Sequence, residues 1–143
     1  MAYIALVSWL VTAGLGVSVL TTWLRHRHPR SRFPTRLVAA HVATVTAGLT
    51  LWVTYLATGR LLAAWLSFAV VNLSNGLGDT IMLGRFRALA GIGGSWLRDY
   101  GRALRAVLTG KYPPQGTMHG ILGGITYLAT LAACVVGTWG PIR

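Results

Sequence analysis

Long apolar runs broken by short polar or basic stretches dominate the chain, at about 3–24, 37–58, 61–83 and 117–139. Each is near the roughly 20 residues that a helix needs to cross a hydrocarbon core. Gly, Ser and Thr recur inside the runs, as membrane helices tolerate. The first, YIALVSWLVTAGLGVSVLTTWL, lacks the charged start and small-residue cleavage site of a signal peptide, so it is expected as a retained span. Gly14 and Gly16 within it suit close helix contact. The pattern predicts an all-α membrane four-helix bundle, with residues 1–143 forming a single integral membrane domain. The one long polar stretch, Arg85 to Gly116, carries a different period. Trp96, Leu97, Tyr100, Leu104, Val107 and Leu108 recur at helical spacing, with Arg98, Arg102 and Arg105 largely on the other side. This predicts an amphipathic helix at about 95–109, capped by Ser95 and closed by Gly110, lying on the inner membrane surface against anionic lipid. A cytoplasmic partner docking on the same face is the competing expectation.

Composition agrees with the pattern. The hydrophobic share is 54% and the charged share 10%, against about 25% charged in soluble domains. Lys and Arg total 13, and their placement predicts orientation. Arg25, Arg27, Arg30, Arg32 and Arg36 lie between the first two runs, and Arg85, Arg87, Arg98, Arg102, Arg105 and Lys111 between the last two. Only Arg60 and Arg143 fall on the opposite side. By the positive-inside bias, loops 25–36 and 85–116 are cytoplasmic in a multi-pass cell-membrane protein whose two termini face outward. The net charge of +11 is then a signal of topology and anionic lipid, not of nucleic acid. The one cysteine, Cys134, has no partner for an internal disulfide. No nucleotide-binding or redox-cysteine motif is present.

Ionisable groups inside spans are costly, and a functional role is their default reading. His41, His119 and Asp79 qualify, and all three fall within the same cytoplasmic-side layer at about 1.5 Å of rise per residue. Two imidazoles on two spans suit axial ligation of a metal centre. Spans two and four are diagonal in an up-down bundle, which leaves room for a cofactor between them. Gly48 and Gly123 follow the histidines on their helices and would leave space for a flat macrocycle. Arg36 and Arg85 are placed to meet its carboxylates. Asp79 closes a stripe with Asn72 and Asn75 along one helix face. It would accept a hydrogen bond from a ligand histidine, pair with an arginine, or sit in a polar seam. A zinc site built from both histidines and Asp79 is an alternative, as is helix packing through Gly120 and Gly124. His26 and His28, among the loop arginines, read as solvated.

One histidine from each of two spans, on one membrane side, resembles the haem b arrangement in the membrane anchors of succinate dehydrogenase-type enzymes and in small four-span b-type haem proteins. The resemblance covers the plan of spans two to four and rests on His41 and His119. It implies one haem b, and electron transfer as a subunit of a larger oxidoreductase. A membrane-protein partner or a second copy of the chain is then expected, with a quinone as a further candidate. Two-haem cytochromes b and b561-type proteins carry a second histidine in partnered spans; no span does so here, so one haem is the maximum. Two other classes stand beside this one: a haem-free structural or accessory subunit, and a transport role needing an oligomer. An enzyme acting alone is not expected, because no nucleophile–base set is recognisable.

Overall fold

The computed structural model describes residues 1–25 and 34–140. His26, His28 and most of the first basic loop lie outside the described residues, as does Arg143. Five helices account for nearly everything else: α1 (Ala2–Arg25), α2 (Thr35–Thr58), α3 (Leu61–Ala90), α4 (Trp96–Leu108) and α5 (Pro114–Trp139). Local chemistry sets the breaks. α2 starts after Pro34 and α5 starts on Pro114, where proline's missing N–H costs nothing. α2 ends at Gly59, whose φ of 68° few other residues adopt; its N–H bonds Tyr55 O. α3 ends the same way at Gly91, with a φ of 62°. It runs seven residues beyond the expected span end at 83, and this extension carries Arg87 to α4.

Four helices, α1, α2, α3 and α5, are long and apolar enough to cross a membrane. α2 packs most extensively on α3, and α1 on α5. The two pairs meet through α3 against α5 and, more lightly, α1 against α2. α2 and α5 therefore lie across the diagonal of the bundle. The outer surface is apolar, with Tyr3, Val7, Leu10, Leu62, Leu73 and Leu128 all exposed.

Aromatic side chains tie the pairs together at one end. There Trp52 donates to Ala2 O at 3.2 Å and Trp65 to Thr138 Oγ1 at 3.1 Å. Phe68 packs on Tyr127 with ring centroids 5.1 Å apart. The buried cluster of Ala5, Trp9, Trp52, Ala64, Val71, Ala133 and Cys134 fills this half. The opposite end holds the start of α2, the end of α3, α4 and the start of α5. Arg25, Arg36, Arg85, Arg87, Arg98, Arg102, Arg105 and Lys111 are all at that end, and Arg60 is at the other.

α4 closes against the basic end through a narrower and more polar face than its sequence suggests. Asp99, Ala103 and Val107 are buried there, while Trp96, Leu97, Leu104 and Leu108 stay exposed. Asp99 accepts from Arg87 Nε at 3.0 Å, and Arg98 approaches its other oxygen at 4.0 Å. Arg87 also donates to Gly94 O at 3.0 Å. Tyr100 donates to Asp79 at 2.9 Å. Both acidic residues of the chain are thus spent on docking α4 to α3. Ser95 occupies the N-cap position of α4 but makes no side-chain capping bond, contrary to expectation. Arg98, Arg102 and Arg105 are exposed, apart from the Leu97, Leu104 and Leu108 sector.

Candidate functional site

Between the two helix pairs, His41 of α2 and His119 of α5 face each other across the diagonal. Their ring centroids are 6.3 Å apart and their planes stand at 85°. Each ring is held by the helix beside its own. His119 Nδ1 is 3.1 Å from Thr12 O on α1. His41 Nδ1 is 3.0 Å from Ser74 O on α3, with Ser74 Oγ at 3.3 Å. A carbonyl oxygen only accepts, so both Nδ1 atoms carry the proton. Nε2 is then the lone-pair nitrogen on both rings, and neither Nε2 makes a hydrogen bond among the described residues.

Glycine makes these contacts possible. In a helix the carbonyl of residue i lies beside residue i+4, whose Cβ tilts back toward it. Residue i+4 is Gly16 for Thr12 and Gly78 for Ser74. A Cβ on Gly16 would stand 3.0 Å from His119 Cε1, and one on Gly78 would stand 3.2 Å from His41 Cε1. An added Cβ at either position would make the ring give by a few tenths of an ångström.

The space shared by the two imidazoles is about 50 Å³ and is lined by all four long helices. Trp9 forms its floor, anchored by Nε1 donating to Thr130 Oγ1 at 3.1 Å. Val45, Val71, Asn75 and Gly123 line its sides. Gly123 has nothing within 4 Å of a would-be Cβ, so it leaves open space beside His119. Gly48 does something else: its missing Cβ is replaced by the Trp9 ring, 2.8 Å from where that atom would be. It is a packing position between α1 and α2, and its carbonyl accepts from Ser67 at 2.7 Å.

Asp79 bonds Tyr100, so the histidines' acceptors are the carbonyls of Ser74 and Thr12. Burial first, then the hydrogen bond to Asp79 and its negative charge, raise the Tyr100 pKa above the usual 10.0 and keep it a donor. Arg85 lies over the ring of buried Tyr112, 6.0 Å from its centroid. Burial raises the Tyr112 pKa and the Arg85 charge opposes that rise. Arg36 is exposed in the first turn of α2, five residues before His41, so about 7.5 Å from it along the axis. No group of three or more His, Cys, Asp or Glu side chains converges among the described residues, so His41, His119 and Asp79 do not form a three-ligand zinc site.

Two features of the sequence mark contacts that residue type alone does not reveal. TAGLG at 12–16 and SNGLG at 74–78 share one pattern, a hydroxyl residue with glycines two and four places on. Asp99 is the other: an acid among arginines in a polar loop reads as solvated, yet it is 1% exposed. Comparison with protein-family models, with curated proteins and with solved structures returns no match for this chain.

Proposed function

We propose that the chain is a multi-pass membrane protein that holds one b-type haem between His41 and His119 and serves electron transfer within a membrane oxidoreductase. The observation that carries this reading is the paired imidazoles, 6.3 Å apart with both Nδ1 atoms engaged. Two imidazoles bound to one metal, with each nitrogen about 2 Å from it and each ring centre about 1.2 Å beyond, have centres about 6.4 Å apart. The centroid spacing equals that of two imidazoles sharing one metal atom, an arrangement in which each Nε2 would turn toward the other ring. His41 and His119 would hold the iron, and no further His, Cys, Asp or Glu ligand joins them among the described residues. A porphyrin would supply the remaining ligands.

The surroundings support the same reading. The space of about 50 Å³ between the rings takes a metal ion, and the macrocycle would require the helix pairs to separate around it, on the side away from the Trp52 and Trp65 cross-ties. Gly123 leaves room beside His119, and Trp9 limits the depth. Arg36 stands toward the basic end for a propionate, and Arg85 is a second candidate if it leaves Tyr112. A haem with two protein ligands supplies reversible one-electron exchange and no vacant site for substrate. Donor and acceptor are then other molecules: a partner subunit, or a quinone in the lipid. The basic end faces the cytoplasm in this reading, with α4 in the headgroup layer, its leucines toward acyl chains and its arginines toward anionic lipid.

The test is the absorption spectrum of the full-length protein purified from cells supplied with haem precursor. A Soret band with sharp reduced α and β bands, at one haem per chain, is the expected result. A colourless protein that stays colourless after haem addition would instead indicate the haem-free accessory subunit.

A further inference from the structure

The two histidines are gripped by the same device, used twice. On α1, Thr12 O takes the Nδ1 proton of His119 and Gly16 lets the ring lie against the helix. On α3, Ser74 O and Gly78 do the same for His41. The two donors come from opposite corners of the bundle, and the rings end perpendicular, at 85°. We infer that Thr12–Gly16 and Ser74–Gly78 are positioning elements that fix both imidazoles as Nδ1–H tautomers and set their planes at right angles. The inference rests on the bis-histidine reading above and adds to it the residues that determine electronic structure.

The physical link is short. A hydrogen bond from Nδ1 locks the tautomer, orients the ring and raises the donor strength of Nε2. In a low-spin ferric centre, each axial ring interacts by π overlap with one of two iron d orbitals. Parallel rings act on the same orbital and split the pair. Perpendicular rings act on one orbital each and leave the pair nearly equal in energy. Near-equality gives an electron paramagnetic resonance signal dominated by one large g value. A clear splitting gives a rhombic signal with three resolved g values.

Each glycine pair in the motif contains its own control. Gly16 and Gly78 touch the histidines, whereas Gly14 and Gly76 have nothing within 4 Å of an added Cβ. Gly16→Ala places a methyl group 3.0 Å from His119 Cε1, and Gly78→Ala places one 3.2 Å from His41 Cε1. Either contact is relieved by turning the ring, which changes the angle between the planes.

The experiment is resonance spectroscopy on the ferric, full-length, haem-loaded protein and on the four alanine variants. The wild type, Gly14→Ala and Gly76→Ala should share a single large-g signal. Gly16→Ala and Gly78→Ala should move toward the rhombic form while keeping most of their haem. A rhombic wild type, or a signal unmoved by both substitutions at full haem content, would overturn the inference. A second measurement needs neither haem nor variants of the glycines. Nitrogen-15 spectra of the haem-free protein, with His26 and His28 replaced by Ala, should show Nδ1 protonated and Nε2 unprotonated on both remaining histidines. An Nε2–H form on either ring would also overturn it. A protein that takes up no haem would contradict the haem reading alone, and the tautomer measurement would then decide this one.

Discussion

At residue scale, the candidate site separates side chains that bear a ligand from those that shape its space. His41 and His119 stand out in the sequence because an ionisable group within an apolar run is costly. What holds them does not stand out, because a backbone carbonyl has no residue type of its own; only the repeated [ST]-x-G-L-G spacing marks it. Gly48 and Gly123 look equivalent in sequence, yet only Gly123 borders the cavity. Their leucine variants should therefore fail differently. Gly123→Leu meets no neighbour at its Cβ and projects into the space beside His119, so it should fold and lose most of its haem. Gly48→Leu drives into Trp9 and Val70 and should cost about 1–3 kcal/mol, or more, from overpacking. Thermal unfolding in detergent, read beside haem content, distinguishes the two. Equal haem loss at unchanged stability in both would restore Gly48 to the site.

At element scale, α4 is legible as a helix and illegible as a docked one. Its period gives the limits to within a residue at each end. Its bundle-facing side could not be read, because docking runs through Asp99 rather than through the aromatic residues. Asp99→Ala leaves Arg87 without its carboxylate. A buried pair broken on one side costs about 3–5 kcal/mol. The Arg87 side chain keeps 30% of its exposure, which lowers the expectation to about 2 kcal/mol. The loss should fall on α4 alone. Limited trypsin digestion should cut at Arg98 or Arg102 markedly faster in Asp99→Ala, with the long helices still intact. Unchanged digestion would mean that Ala103 and Val107 hold α4 without the ion pair.

At the scale of the whole molecule, apolar length carried most of the fold. Four runs became four long helices because little inside them interrupts a helix, and their limits differ from expectation chiefly at α3. The diagonal placement of α2 and α5 followed from up-down order. The concentration of cross-ties at the end away from α4 did not, since it depends on where Trp52, Trp65 and Phe68 reach. Charge is segregated between the ends, which predicts that a reporter fused after Arg143 is active only outside the cell. Strong cytoplasmic activity at that position would reverse the orientation. The central claim, one metal centre shared by His41 and His119, is tested most directly by the spectra of His41→Ala and His119→Ala. Both variants should lose the low-spin six-coordinate bands and hold less haem, because either loss empties one axial position. A low-spin spectrum retained at full haem content in either variant would contradict it.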